Sequence, residues 1–178
     1  MPTILIRDAR PDETQALQEL TIAAYHEYAT VMPAMWPIYR ENIVTTLANV
    51  APAQQIVAEL DGLVVGTALL YPPESTIARP DGSMATRALP EIRLLAVAPE
   101  TRGKGVGKVL MEECIRRARE SGVEAITLHT TDMMAVAMSM YERMGFKRAS
   151  ELDFHPNENV TVKGYRFDLN TNKLSPIN

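Results

Sequence analysis

The sequence has a single cysteine, no excess of positive charge and no long apolar run. One thiol, Cys114, cannot close an internal disulfide, which favours a reducing compartment. A net charge of -4 argues against a general nucleic-acid or membrane-surface binder. No stretch approaches the roughly 18 uninterrupted apolar residues of a membrane span, and no basic start with an apolar core indicates a signal peptide. We therefore expect a cytoplasmic, soluble enzyme or binding domain.

The composition that remains is that of an ordinary globular protein. Apolar residues make up 46% of the chain and charged residues 22%. A length of 178 residues suits one domain with a sizeable core, and no internal repeat or linker divides it. We expect a single domain over 1–178, with its core at about 3–169 and a loose tail at 171–178.

The hydrophobic spacing predicts a mixed α/β (α+β) fold, not a doubly wound parallel sheet. Asp12 and Gln15 fit a capping box at the start of the first helix. Asp61-Gly62 predicts a hairpin turn. The connection from Pro72 to Leu89 predicts a long loop, either a functional gate or a disordered segment. Strands are predicted at 3–7, 55–60, 63–71, 91–97, 125–130, 146–153 and 164–169, and helices at 11–29, 38–48, 106–120 and 135–144, with an Asn-rich loop before the last strand.

The stretch from Glu91 to Lys108 carries the most information about function. An apolar strand, Glu91–Val97, leads through Pro99 into a loop with three glycines and three cations, and a helix follows at once. Glycines let a backbone approach a ligand closely, and a helix start presents N–H groups and a positive dipole end. This arrangement predicts an anion-binding loop, and the alternative is a flexible connection with solvated cations.

Spacing excludes two common ligands of such loops. A nucleotide P-loop would need glycine at Arg102 and serine or threonine at Val109. A dinucleotide fingerprint that starts at Gly103 would need glycine at Lys108, and one that starts at Gly105 would need glycine at Leu110. Both patterns fail.

A third pattern fits. The run LLAVAPETRGKGVGKVL, with Arg102-x-x-Gly105-x-Gly107, resembles the acyl-CoA pyrophosphate loop of the GCN5-related N-acetyltransferase (GNAT) superfamily. Downstream, Tyr141 followed by Gly145-Phe146 is similar to the family's closing helix. The order of elements matches over roughly residues 3–169. The resemblance implies a mixed, mostly antiparallel sheet with a splayed parallel pair, flanked by helices.

The resemblance also implies the cofactor and its contacts. Acetyl-CoA would be the co-substrate, with no metal, and would pass its acetyl group directly to an amine. The central strand would pair with the pantetheine arm, and the loop N–H groups would hold the pyrophosphate. The cofactor-binding residues implied are Leu95, Ala96, Val97, Arg102, Gly103, Lys104, Gly105, Val106, Gly107, Lys108 and Ala137.

Two residues are the catalytic candidates. Tyr141 sits where the family has its acid, although its spacing alone favours a core tyrosine. Glu91 matches the glutamate base of histone-acetylating members, directly or through water, and would share a strand face with Arg93 and Leu95 if no bulge intervenes. The alternative is an exposed carboxylate paired with Arg93 or Arg87. His129 is a second candidate base, or simply a polar residue at a strand end.

Other positions have structural interpretations. Cys114 falls on the apolar stripe of the post-loop helix, which favours a buried cysteine over an acyl-enzyme nucleophile. Met134 stands where the family often has a cofactor-contacting asparagine, so core packing is expected there.

The acceptor is predicted only as a small-molecule or peptide amine, bound near the first two helices and the loops at 71–89 and 153–163. Met35, Trp36, Tyr39 and Tyr71 are candidates for an aromatic pocket or for simple packing. No nucleic-acid or membrane partner is expected, and the protein would be a monomer or homodimer. The rival hypothesis is a non-catalytic acyl-CoA-binding module.

Overall fold

The computed structural model describes residues 3–78 and 83–170. Within them the chain forms helices and strands joined by short turns, several of them 3-10. The α-helices are α1 (Thr14–Tyr25), α2 (Tyr28–Val31), α3 (Trp36–Ala48), α4 (Val106–Glu120) and α5 (Ala135–Arg143). The strands are β1 (Ile4–Asp8), β2 (Gln54–Leu60), β3 (Leu63–Tyr71), β4 (Ser75–Ala78), β5 (Met84–Arg87), β6 (Glu91–Val97), β7 (Ala125–Thr130), β8 (Lys147–Arg148), β9 (Phe154–Asn157) and β10 (Val160–Asp168).

The chain divides into two compact units. The first comprises Met1–Tyr71 and Arg93–Cys114, and the second Pro72–Ile92 and Ile115–Asn178. Strand β6 therefore begins in the second unit and continues in the first, and helix α4 passes from the first into the second.

The first unit is built on an antiparallel meander. Strand β1 pairs with β2, β2 pairs with β3, and β6 is the next strand after β3. The predicted Asp61-Gly62 hairpin turn is confirmed, with both residues at positive φ. Apolar residues of α1 and α3, among them Leu17 and Ile43, are fully buried. The predicted bounds of β3 are also confirmed.

The second unit contains the parallel pair. Glu91 and Ile92 of β6 pair in parallel with Thr127 and Leu128 of β7. Strand β10 runs antiparallel to β7, β8 and β9. The predicted class is thereby confirmed: a mixed, mostly antiparallel α/β fold with a parallel pair, flanked by helices.

Two segments predicted as loops form strands instead. Within Pro72–Leu89, β4 and β5 pair as an antiparallel hairpin in which the Thr76 and Thr86 hydroxyls lie 3.1 Å apart; its tip, 79–82, lies outside the described residues, as does the tail 171–178. The Asn-rich segment is the hairpin of β9 and β10. The strand predicted at 146–153 is shorter, because a 3-10 turn at Ser150–Leu152 interrupts it after β8. Pairing with the partner strand decides such short strands, and the composition of one strand alone does not reveal it.

The helix starts also differ from the prediction. Glu13, not Asp12 with Gln15, forms the capping contact, and its carboxylate accepts the Arg10 backbone N–H at 2.7 Å. Helix α1 ends at Tyr25 rather than Ala29. Helix α3 begins at Trp36, two residues before the predicted start, with Pro37 in its first turn, where a missing N–H has little cost.

Glu13 gives the fold a dependence on acid pH. The Arg7 guanidinium, 2.6 Å away, lowers the Glu13 pKa from 4.5 to about 2. A carboxyl group with a lowered pKa stabilises the native state above its unfolded pKa, and that stabilisation is lost as the pH falls from about 4.5 through about 2. We expect Glu13→Gln to lower the free energy of unfolding by about 2 kcal/mol at pH 7 and by progressively less toward pH 2.

Urea unfolding at several pH values measures this difference. Glu19→Gln is the control, because that exposed carboxylate accepts a hydrogen bond from the uncharged Gln15 side chain one turn away. Equal losses of unfolding free energy for the two variants at pH 7 would contradict the assignment of this stabilisation to Glu13.

Candidate functional site

Strand β6 has an irregular backbone at its centre. Leu94 has φ 48°, a left-handed conformation that a leucine adopts only when its surroundings hold it there. The strict alternation of side chains therefore stops at Leu94, and the expectation that Glu91, Arg93 and Leu95 share one face does not hold. Glu91 and Ile92 are instead both buried.

The two ends of β6 have different hydrogen-bonding partners. At the start of β6, Glu91 and Ile92 pair with β7. Further along, the Leu95 carbonyl accepts a hydrogen bond from the Tyr25 hydroxyl at 3.0 Å, and the Ala98 N–H donates to Val65. The segment predicted to bind the pantetheine arm thus begins with a residue whose carbonyl Tyr25 contacts.

The loop after β6 needs glycine for its backbone conformation. Gly103 and Gly105 have φ 77° and 83°, and a Cβ at either position would meet nothing within 4 Å. The Val109 N–H donates to the Gly105 carbonyl, so helix α4 begins directly after this glycine. By helix geometry, the N–H groups of the first turn, Val106 to Lys108, have no acceptor within the helix. These donors and the helix dipole form a site for an anion.

Arg102 connects this loop to helix α1. Its Nη2 donates to the Ala24 carbonyl at 2.7 Å, and its Nη1 lies 3.1 Å from a Glu27 carboxylate oxygen. Its backbone N–H donates to Pro99. These contacts fix the loop against the end of α1. The predicted stripe of α4 is confirmed, since Val106, Leu110, Cys114 and Ala118 are all buried, which agrees with a structural Cys114.

Glu91 and His129 are in contact in the second unit. Glu91 is only 3% exposed, so the alternative of an exposed carboxylate is wrong, although its predicted pairing with Arg87 is confirmed at 3.0 Å. His129 Nδ1 lies 3.3 Å from the other Glu91 oxygen. The register of β6 and β7 explains this contact, because Glu91 is opposite Thr127, two residues before His129.

The partners of His129 decide where its protons lie. Nε2 is 2.9 Å from the Leu152 carbonyl oxygen, which only accepts, so Nε2 carries a hydrogen. His129 Nδ1 and the Glu91 carboxylate are close neighbours in a buried cluster that also includes Arg87.

Tyr141 lies in the second unit on α5. It is 8% exposed, and its ring centroid is 6.1 Å from that of Phe146. Ala137 and Met134 are half-buried at the start of the same helix. This burial fits both a core tyrosine and an acid in a closed site, so its role stays a prediction.

The structure thus places the predicted residues in two groups. Leu95–Val97 and Arg102–Lys108 belong to the first unit, and Glu91, His129, Ala137 and Tyr141 to the second. Sequence reasoning missed Tyr25, although its place on the α1 face beside Leu17 and Ala24 was a usable signal. Over residues 3–78 and 83–170, no group of three or more His, Cys, Asp or Glu side chains suits a metal ion. Nor does any helix in those ranges have the length and apolar character needed to cross a membrane.

Comparison with known proteins assigns the chain to a family. Residues 19–146, more than half of the sequence, match the acetyltransferase (GNAT) family model. The chain therefore belongs to the GNAT acetyltransferase family, as the loop and Tyr141 motifs indicated.

Individual relatives agree with this assignment. The chain is 31% identical over 99 residues to human N-acetyltransferase 8B, covering 56% of this chain and 40% of that protein. It is 32% identical over 120 residues to the probable N-acetyltransferase camello of Xenopus tropicalis, covering 64% and 49%. The chain thus spans about half the length of these curated relatives or less. A GNAT family acetyltransferase from Brucella melitensis, solved with acetyl-CoA, superposes with a TM-score of 0.59 at 25% identity, covering 82% of this chain and 83% of that one.

Proposed function

We propose that this chain transfers an acetyl group from acetyl-CoA to a primary amine, as a single domain in the cytoplasm. The observation that carries the proposal is the backbone from Leu94 to Val109. It comprises a strand with an irregular centre, a loop with two left-handed glycines, and a helix start whose first N–H groups have no acceptor within the helix. The bound acetyl-CoA of the Brucella melitensis relative supports the choice of cofactor.

The roles of the cofactor-binding residues follow from their chemistry. N–H groups between Gly103 and Lys108 would hold the pyrophosphate, and Lys104 and Lys108 would add positive charge. Arg102 would contribute chiefly through the loop conformation that its bonds to Ala24 and Glu27 maintain. Leu95, Ala96 and Val97 would align the pantetheine arm, with Ala137 on α5 as a further contact.

The reaction develops charge at three atoms: the thioester oxygen, the leaving sulfur and the amine nitrogen. The amine nitrogen attacks the thioester carbonyl carbon, which puts negative charge on oxygen, and the Val97 N–H is the proposed donor to it. The C–S bond then breaks as the amide forms. The leaving thiolate takes a proton, which Tyr141 would supply, because a thiol with a pKa near ~8.5 leaves poorly without one at neutral pH.

The proton lost by the amine would go to Glu91. Because this carboxylate is buried beside Arg87 and His129, a water molecule is the proposed intermediary. The amine must be neutral to attack, since an alkylammonium with a pKa near ~10 has no lone pair. His129, whose Nδ1 lies 3.3 Å from Glu91, is the alternative base.

Acetyl-CoA is expected to raise the melting temperature, whereas ATP and NAD are not. Near one hundred times its Kd, a ligand that binds only the native state should raise Tm by about 5 °C. Differential scanning fluorimetry measures this shift. Stabilisation by ATP without stabilisation by acetyl-CoA would contradict the proposal.

A pair of glycine variants locates the binding site. Gly105→Asp places a carboxylate where the pyrophosphate is proposed to lie and should abolish the shift. Gly122→Asp is the matched control, because Gly122 has φ 79° and equally open surroundings, and it should retain the shift. Release of free thiol in the presence of an amine then separates an enzyme from a non-catalytic binder.

A further inference from the structure

An aromatic cluster lies beside the first unit's part of β6. Tyr25 contacts Tyr28 and Tyr39, each with ring centroids 5.9 Å apart, and Trp36 stacks on Tyr39 at 6.5 Å. All four side chains are half-buried. These four residues (Tyr25, Tyr28, Trp36 and Tyr39) form an aromatic cluster at the end of α1 and the start of α3.

Arg93, on β6, lies over the ring of a further tyrosine, Tyr71. The Arg93 guanidinium carbon lies 5.6 Å from the centre of the Tyr71 ring. Burial raises the pKa of Tyr39 to about 12, and the positive charge of Arg93 partly opposes that rise. Arg93 is half-buried, so its charge is screened less than that of an exposed arginine.

The cluster reaches the strand at the point where the thioester is proposed to lie. The Tyr25 hydroxyl donates to the Leu95 carbonyl at 3.0 Å. Leu95 begins the segment that would align the thioester, and Arg93 precedes it by two residues. A molecule that rests on the aromatic cluster would therefore lie next to both the Arg93 charge and the acetyl group.

We propose that the acceptor is a small primary amine that carries a carboxylate and an apolar group, chemically an apolar amino acid. The carboxylate would pair with the two parallel N–H donors of Arg93, and the apolar group would pack on Tyr39 and Trp36. A polyamine fits less well, because its second cation would be repelled by Arg93. The same guanidinium also favours the neutral form of a nearby amine. This inference rests on the proposed function.

Three matched acceptors test whether the carboxylate of the acceptor contributes to recognition. Phenylalanine, phenylalaninamide and phenethylamine share the aromatic group, and only phenylalanine has the carboxylate; spermidine represents the polyamines. With thiol release as the readout and rates corrected for the neutral fraction of each amine, kcat/KM for phenylalanine should exceed that for phenethylamine at least about tenfold. Equal or better turnover of phenethylamine or spermidine would overturn the inference.

Variants of Arg93 test whether this residue binds the carboxylate of the acceptor. Arg93→Gln should bring the ratio of phenylalanine to phenethylamine kcat/KM toward one, and Arg93→Lys should keep part of it. Arg119→Gln, which removes an exposed positive charge from α4, should keep the full ratio. A ratio that Arg93→Gln leaves unchanged would overturn the inference, and persistence of the acetyl-CoA melting shift shows that the variant is folded. Failure of acetyl-CoA to stabilise the parent protein would instead reject the proposed function itself.

Discussion

Replacing Gly164 with alanine is expected to lower the free energy of unfolding by about 3 kcal/mol or more. A Cβ at this position in β10 would lie 2.4 Å from the Leu152 Cβ and 2.8 Å from the Ala149 carbonyl oxygen. Neither atom is the end of a flexible side chain, so the backbone of the turn at Ser150–Leu152 would have to move. Gly164 also donates its N–H to Asp153, so the shift would disturb that hydrogen bond.

Urea unfolding of the parent and variant measures this loss. Gly122→Ala is the matched control, because its φ of 79° strains any side chain while its surroundings are open. We expect that control to lose only about 1 kcal/mol. If both variants lose the same free energy of unfolding, the close contacts at Gly164 do not add to the cost of a side chain there.

The close packing of Gly164 against the turn at Ser150–Leu152 also affects the candidate site. The same turn carries the Leu152 carbonyl that binds His129 Nε2. A displaced turn would change the position of the imidazole relative to Glu91. We therefore expect Gly164→Ala to reduce activity as well as stability, even under conditions where the variant is folded.

The elements predicted correctly are those with strong local signals. The period of α4, the Asp61-Gly62 turn and the apolar runs of β3 and β7 each determine their own structure. The hairpin of β4 and β5 was missed because its polar, proline-rich sequence resembles a loop and its pairing depends on the partner strand. Glu13 was missed as the capping residue because the sequence does not show that Arg7 approaches it from β1.

The candidate site also contains some features that the local sequence predicts and others that depend on the fold. The spacing of Arg102, Gly105 and Gly107 predicted the anion-binding loop from adjacent residues. The left-handed conformation of Leu94 could not be predicted, because no glycine or asparagine marks it. The contact of Glu91 with His129 was also inaccessible, because it depends on the register of two parallel strands whose paired residues, such as Glu91 and Thr127, are far apart along the chain. Identifying the residues was therefore possible from sequence, but recognising that the two candidate bases are in contact required the structure.

Tyr141→Phe is expected to lower kcat by about a hundredfold, the usual effect of losing a general acid. The proposed step that it slows is the departure of the thiolate, which must then leave without a proton. Removal of one hydroxyl keeps the ring that contacts Phe146, so the fold should be preserved. The acetyl-CoA melting shift should also persist, because the proposed phosphate and pantetheine contacts come from β6, the loop, α4 and Ala137, and do not involve the Tyr141 hydroxyl.

Tyr165→Phe separates this catalytic effect from the general effect of removing a buried hydroxyl. Tyr165 is 2% exposed, and its hydroxyl donates to Glu142 on α5 at 2.9 Å, so its loss removes a hydrogen bond to the same helix. This control should unfold more easily yet keep most of kcat, measured by thiol release with the best amine of the acceptor panel. A Tyr141→Phe enzyme that retains more than half of the parent kcat would show that another group protonates the thiolate. Tyr141 would then be a core residue, as its helical spacing alone indicated.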